Sequence, residues 1–365
     1  MGVEGHTFER SGCDVPDRLG SACLDPHELV VEPRVSGSRV RRGWARPSEV
    51  HVEQSIPVVD LRQFDDRDGR KAFVQKYGAA LQDLGFVAIE GYGVDDALFA
   101  KTYDVFRRFF AMPTEVKKKY EHPETGRARG YTSFGVEHAK DNAKADLKEF
   151  YHVGRALPPS DPFASKLVPN VWPEELPELK TTCDELFAKL DEVSYKCLQA
   201  LSMYLGASEN YLRDMAVKGN TVHRFIHYPV CDGFDEPGVM RAAQHEDINL
   251  MTLLPPADES GLELLTREGE WLPIHAIPGQ IIADTGDMMS RLTNDVIPAT
   301  THRVVNPKGE PKPRYSMPFF VHPHFDVTLE VMKECLKDGE KPKYAPINNH
   351  DFLLQRLREI GLKAS

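Results

Sequence analysis

Gln244-His245-Glu246-Asp247, then Thr301-His302-Arg303-Val304, then Arg314-Tyr315-Ser316 are the pieces around which the rest of the chain is organised. Side chains alternate in direction along an extended strand, so a strand carrying His245 and Asp247 would turn both to one face. His302 follows 55 residues after Asp247. Two imidazoles and one carboxylate are the donor set that binds non-haem Fe(II) on three positions and leaves the others open. Arg314 and Ser316 would also share a strand face, where a guanidinium and a hydroxyl can hold a small dicarboxylate by a forked, charge-assisted contact. A His-x-Asp or an Arg-x-Ser alone is ordinary surface sequence. Their order, with glycine-punctuated β-rich segments between them, makes them one candidate site.

From Thr221 onward the texture is β, with short runs separated by Gly, Pro and Asp, as a barrel or jelly roll demands. The expected strands are His223 to Tyr228, Leu250 to Leu254, Leu262 to Thr266, Trp271 to Pro273, Gln280 to Thr285, Thr301 to Asn306 and Tyr315 to Val321. Two amphipathic helices, Val327 to Lys337 and Asp351 to Leu362, should pack outside them. Upstream, Ile56 to Leu61 and Phe86 to Ile89 read as strands. Helical spacing runs from Asp68 to Leu84 with Gly85 as its stop, from Asp95 to Ala111, from Glu175 to Leu205 and from Asn210 to Val217. The aromatic stripe Tyr103, Phe106, Phe109 and Phe110 reads as core packing, and Lys117-Lys118-Lys119 as the solvated end of a helix. Gly91-Tyr92-Gly93 lacks the third glycine of a dinucleotide fingerprint and reads as a turn.

These motifs resemble the isopenicillin N synthase-like group of 2-oxoglutarate- and Fe(II)-dependent oxygenases. His245-x-Asp247, His302-Arg303-Val304, Pro278-Gly279, Asp284-x-Gly286-Asp287 and Arg314-x-Ser316 carry the likeness, supported upstream by Ile56 to Leu61, Gly85-Phe86 with Gly91, and Arg224-x-x-x-Tyr228-Pro229. The resemblance covers about residues 55–324. It implies a mainly β fold with flanking helices: a double-stranded β-helix (jelly roll) core over 221–325, an N-terminal mixed α/β region with a backing helix over 55–220, and C-terminal helices over 326–365. It also implies Fe(II) on His245, Asp247 and His302, and 2-oxoglutarate on Arg314, Ser316 and Tyr228, with ascorbate as a candidate reductant. Ile226 stands where relatives often carry an Asn, so a polar contact is not expected there. The region 127–150 would form a wall of the substrate pocket, with Arg129, Tyr131 and Phe150 as candidate contacts; the alternative is a purely structural role.

Composition sets bounds. A length of 365 residues suffices for one large domain or two ordinary ones, and 41% hydrophobic with 28% charged residues is usual for a soluble globular protein. A net charge of −11 argues against general nucleic-acid binding. The six cysteines are dispersed without a C-x-x-C pair, which favours reduced thiols over a disulfide framework or a zinc knuckle. Neither a signal peptide nor a membrane span is apparent, so the cytoplasm is the expected compartment. Residues 1–54, rich in Arg, Glu, Gly, Ser and Pro, read as a flexible extension, a regulatory tail, or the product of a start codon placed too early.

The activity expected is the oxidation of a small-molecule substrate by O2, by hydroxylation or by desaturation or ring closure, with 2-oxoglutarate leaving as succinate and CO2. Rival readings are an Fe(II) oxidase that takes all its electrons from the substrate, a catalytically silent barrel used as a binding module, and a zinc hydrolase on the same ligands. The last lacks a poised general base near the His-x-Asp segment. The pairs His223/His227 and His322/His324 also have strand-face spacing but no matching carboxylate, and His275 is expected on the surface.

Overall fold

The computed structural model describes residues 55–137, 145–230, 240–275, 277–306 and 312–359. The extension over 1–54 therefore lies outside the described residues. Strands, in chain order, are β1 (Val58–Asp60), β2 (Phe86–Glu90), β3 (Gly130–Thr132), β4 (Glu149–Gly154), β5 (Val222–Tyr228), β6 (Ala242–His245), β7 (Met251–Leu254), β8 (Leu262–Leu265), β9 (Trp271–Pro273), β10 (Ile281–Thr285), β11 (His302–Val304), β12 (Arg314–Ser316), β13 (Phe319–Val321), β14 (Thr328–Leu329) and β15 (Ile347–Asn348). Helices are α1 (Arg62–Asp65), α2 (Arg70–Leu84), α3 (Asp96–Phe110), α4 (Thr114–Lys117), α5 (Glu178–Tyr204), α6 (Tyr211–Ala216), α7 (Asp287–Leu292) and α8 (Asn349–Glu359).

Two sheets form the expected jelly roll. The larger runs β1-β2-β10-β7-β13-β5-β4-β3, with β12 also paired to β5, and the smaller runs β6-β11-β8-β9. Phe86, Ala88 and Ile282 of the larger sheet meet Leu262, Leu264 and Ile274 from the other side in one apolar cluster. Ile226 and Tyr228 meet Ala242 and Val304, with Phe150, in a second. These two clusters lie between the sheets.

The outer face of the larger sheet is covered by helices whose local sequence explains them. Asp95 caps α3 by accepting from Ala97 N at 2.9 Å, and Gly85 ends α2 with φ 69°, a left-handed conformation that suits a residue without Cβ. The α3 stripe is core, as expected: Phe106 stacks on Phe225 of β5 with ring centroids 3.7 Å apart. The long helix α5 buries Leu186, Leu190, Cys197, Leu198 and Leu201 and lays Phe187 against Phe319 of β13. It backs the barrel.

Three expectations need correction, and a fourth lies partly outside the described residues. Residues 327–337 are not a helix: Leu329 pairs with Ile347 in a small antiparallel ribbon, and only the short 3-10 turn Lys333–Cys335 follows. The alternating burial of Val327, Leu329 and Val331 is a period of two, which that run satisfies as well as it satisfies a helix. The strand expected over Tyr315 to Val321 is divided into β12 and β13 at Met317-Pro318, because Pro318 has no N–H to give the ladder. Its carbonyl still accepts from Arg224 N at 2.9 Å. Lys117 is not solvated but 6% exposed, with Nζ 2.7 Å from Glu149 Oε2. Finally, helix α8 begins at Asn349 and is described to Glu359, so the end expected at Leu362 lies outside the described residues.

Candidate metal centre

His245 ends β6 and Asp247 lies beyond it, so the pair does not occupy one strand as its spacing suggested. Asp247 is carried inward by the turn that leads to β7. His302 opens β11 and lies directly opposite His245 across the antiparallel pair, whose register then shifts before Val304 opposite Ala242. That bulge lets both Ala242 and His245 reach the interior, whereas strict alternation would send one of them out.

The three side chains converge. His245 Nε2 and His302 Nε2 are each 3.8 Å from Asp247 Oδ1, and the three donor atoms lie within 4.8 Å of one another. The other nitrogen of each ring is engaged: His245 Nδ1 with Ala243 O at 2.7 Å and His302 Nδ1 with Thr300 O at 3.2 Å. Since a carbonyl only accepts, both rings carry their proton on Nδ1 and present the Nε2 lone pair to the shared space. Burial pushes the His302 imidazole down to about 4, helped by His245 and opposed by Asp247, so it stays neutral and able to ligate. Thr252 Oγ1 donates to Asp247 Oδ2 and accepts from Asn249 Nδ2 at 2.8 Å, which fixes the carboxylate with Oδ1 turned to the histidines.

The Asp284-x-Gly286-Asp287 motif holds this turn from behind. Asp287 N donates to Asp247 O at 2.8 Å and Met288 N to Asn249 O at 3.1 Å, so the first N–H groups of α7 are spent on the turn that carries Asp247. A Cβ at Gly286 would overlap Asp247 O, which is why a glycine stands there. Arg356 from α8 reaches Asp287 at 2.8 Å. Asp284 is buried beside Asp247, and burial, then the Asp247 charge, raises its carboxyl well above the usual range. Asp287, Asp284 and Arg356 carry no functional role in the sequence reading; only the motif spacing marked the first two.

The second half of the candidate site is set by sheet pairing. Arg314 on β12 lies directly opposite Tyr228 on β5, and Ser316 opposite Ile226. Arg314 is 2% exposed and its guanidinium stands 5.2 Å from the centre of the Tyr228 ring. Its Nε donates to Glu259 O at 3.1 Å, while Nη1 is buried with no acceptor. A buried guanidinium N–H without a partner is costly, and a carboxylate in the adjoining space would satisfy it. Arg314 also borders a concavity with Leu254, Leu262, Ile282, Glu259 and His275. His275, expected on the surface, is half-buried at this concavity.

The other expected residues divide. Arg129 and Tyr131 are buried 1% exposed: Arg129 Nη2 donates to Asn220 Oδ1 at 2.9 Å, and the Tyr131 hydroxyl donates to Glu149. Phe150 packs with Tyr228 between the sheets. His223 bonds Met317 O at 3.2 Å and His227 bonds Glu149 at 2.8 Å; neither belongs to a metal-binding group among the described residues. His322 Nδ1 donates to Phe320 O at 3.0 Å.

Comparison with known proteins gives the same picture over most of the chain. Residues 56–175 match the family model for the non-haem dioxygenase in morphine synthesis N-terminal region, and residues 219–323 that of the 2OG-Fe(II) oxygenase superfamily. The proline hydroxylase buaE of Petromyces alliaceus is 30% identical over 306 residues, 79% of this chain and 94% of that protein. A crystal structure from Caulobacter crescentus assigned to the 2OG-Fe(II) oxygenase family superposes with a TM-score of 0.76 at 40% identity, covering 84% of this chain and all of that one. The Neurospora crassa T7H complex with alpha-KG and thymine superposes with a TM-score of 0.73 at 27% identity, covering 83% and 96%.

Proposed function

Because this chain belongs to the 2OG-Fe(II) oxygenase superfamily, we propose that His245, Asp247 and His302 hold its iron, and that Arg314, Ser316 and Tyr228 bind the distal carboxylate of 2-oxoglutarate. The enzyme is a 2-oxoglutarate- and Fe(II)-dependent dioxygenase that oxidises a small molecule with O2. The observation that carries the site assignment is the convergence of two imidazole Nε2 atoms and one fixed carboxylate oxygen within 4.8 Å. The donor set fits the ion: two imidazoles and one carboxylate suit non-haem Fe(II) and leave positions for cosubstrate and O2. The buried, unsatisfied Nη1 of Arg314 fits the distal carboxylate.

Bound iron with 2-oxoglutarate supplies the oxidising power: the cosubstrate loses CO2 to give succinate, and one oxygen atom of O2 goes into that product. The protein's own residues orient and exclude. Thr252 and Asn249 aim Asp247, the Ala243 and Thr300 carbonyls fix the imidazole tautomers, and Tyr228 with Ser316 flanks the guanidinium that anchors the far end of the cosubstrate. Hydroxylation is the outcome we assign, supported by the hydroxylase among the relatives. Ascorbate serves as auxiliary reductant. A cytoplasmic location is supported by the burial of Cys183, Cys197 and Cys335 as free thiols, and no helix among the described residues is long and apolar enough to cross a membrane.

The test is turnover without added substrate: purified protein, Fe(II), ascorbate and 2-oxoglutarate under air, with succinate quantified beside a His302→Ala variant. Succinate that requires His302, disappears on chelation and returns with Fe(II) is the expected result. Equal succinate from the variant would remove His302 from the metal site. Iron bound tightly with no effect of 2-oxoglutarate on its spectrum would favour the oxidase reading.

A further inference from the structure

Beyond His322, at the end of the larger sheet that carries the metal turn, lies a cationic cluster that the metal and cosubstrate sites do not use. His322 follows Val321, whose carbonyl accepts from Leu250 N at 3.0 Å, so the imidazole stands beside the turn that bears Asp247. It lies near enough to feel both Asp247 and Arg129. From β5, Arg224 projects into the same region between two phenyl rings, 4.3 Å from the Phe150 centroid and 5.3 Å from that of Phe320. Its Nε donates to His152 Nε2 at 2.7 Å and its Nη1 to Glu137 Oε1 at 3.0 Å. Two edges of the guanidinium are therefore pinned. Among the described residues Nη2 finds no hydrogen-bond partner, and the side chain keeps 16% of its exposure.

The charges around it do not cancel. Glu137 is answered by Arg224 and by Lys148, 2.6 Å away, and Lys148 also meets Asp146 at 2.9 Å. Those two cations and two anions balance. Arg129 is left over. It is 1% exposed, its hydrogen bonds go to the neutral acceptors Ala128 O and Asn220 Oδ1, and its Nε has none. No carboxylate among the described residues pairs with it. A buried charge without a counter-ion is costly unless something compensates it. His152 and His322, both held neutral by burial, cannot.

We propose that the substrate carries a carboxylate, and that this group docks on the open Nη2 edge of Arg224 in the positive field of Arg129. The inference rests on the iron and 2-oxoglutarate reading, since it places the group at Arg224, four residues along β5 from Tyr228, which lies opposite Arg314. Phe150 and Phe320 hold the guanidinium plane, so the contact is directional, and the rest of the substrate is thereby aimed toward the metal. Arg129 acts through the field and is a positioning residue; Arg224 touches the substrate.

Equilibrium dialysis of acetate, hexanoate and benzoate, each against its neutral amide, tests this on anaerobic protein saturated with Fe(II) and 2-oxoglutarate. At least one carboxylate is expected to bind about tenfold tighter than its amide, the difference between a charge-assisted and a neutral hydrogen bond. Arg224→Gln should erase that preference and Arg224→Lys should keep part of it; Arg129→Gln should weaken it. Retention of 2-oxoglutarate, measured in the same cells, shows that a variant is folded and that the cosubstrate site works. Absence of any preference in the parent protein would overturn the inference, as would a preference untouched by Arg224→Gln or one that excess 2-oxoglutarate competes away. Failure of 2-oxoglutarate itself to bind would instead count against the Arg314 assignment.

Discussion

Replacing Arg314 with alanine separates a charge-binding pocket from a merely buried arginine. The guanidinium is 2% exposed, spends Nε on Glu259 O and leaves Nη1 without an acceptor. A distal carboxylate that gains this donor forms a buried, charge-assisted pair, and removing one partner of such a pair costs about 3–5 kcal/mol. At about 1.4 kcal/mol per factor of ten, the dissociation constant for 2-oxoglutarate should rise roughly a hundredfold to a few thousandfold. The Ser316 and Tyr228 hydroxyls remain, which places the expected loss toward the lower end. Anaerobic calorimetry of 2-oxoglutarate on the Fe(II) protein measures it directly. A second ligand makes the result specific for charge: 2-oxopentanoate has a methyl group where 2-oxoglutarate has its distal carboxylate. The parent protein should prefer 2-oxoglutarate by a factor of the same order, and Arg314→Ala should bind the two nearly alike. A variant that binds 2-oxoglutarate within about threefold of the parent would refute the assignment, provided its urea midpoint shows it folded.

Three further outcomes follow from the same geometry. Gly286→Ala puts a methyl group against Asp247 O and Asn249, so it should shift the metal turn and weaken Fe(II) binding by about 10- to 100-fold, read by competition with a chelator; unchanged affinity would mean that the turn yields without moving its carboxylate. Lys117→Met strands the buried Glu149, whose carboxylate is penalised by burial yet held low by His227, Lys117 and Tyr131, and should cost about 3 kcal/mol in urea unfolding; a loss under 1 kcal/mol would refute the pair's importance. Burial pushes His223 from 6.5 down to about 3, so the unfolded chain binds a proton that the folded chain refuses between those values. Its contribution is fully present above pH 6.5 and is lost as pH falls, at about 1.4 kcal/mol per unit. The stability of His223→Gln should fall less steeply between pH 6 and 4 than that of the parent protein, and parallel slopes would show that His223 protonates without unfolding.

What the sequence determined by itself is what short-range physics fixes. Strand and helix positions follow from the period of the apolar residues and from single boundary signals, such as Gly85 at the end of α2 and Asp95 at the start of α3, so most elements lie within a residue or two of where those signals put them. The donor types at His245, Asp247 and His302, and the charge at Arg314, are likewise properties of the residues alone. Where two periods fit equally, as over 327–337, only the pairing partner Ile347 decides, and it is eighteen residues from Leu329. Lys117 looked solvated because nothing near it in the chain announces Glu149.

The site depends still more on such distant partners. A bulge opposite β11 turns His245 inward, the α7 N-terminus holds Asp247 beyond the end of its strand, and the β5–β12 register sets Arg314 against Tyr228. The unbalanced charge of Arg129 is visible only once Glu137 and Asp146 are known to be committed to Lys148 and Arg224, and no carboxylate among the described residues pairs with it. Side-chain direction along one strand is local and can be read; the convergence of groups from different strands is set by non-local registers and by which charges share a buried space, and those belong to the tertiary structure.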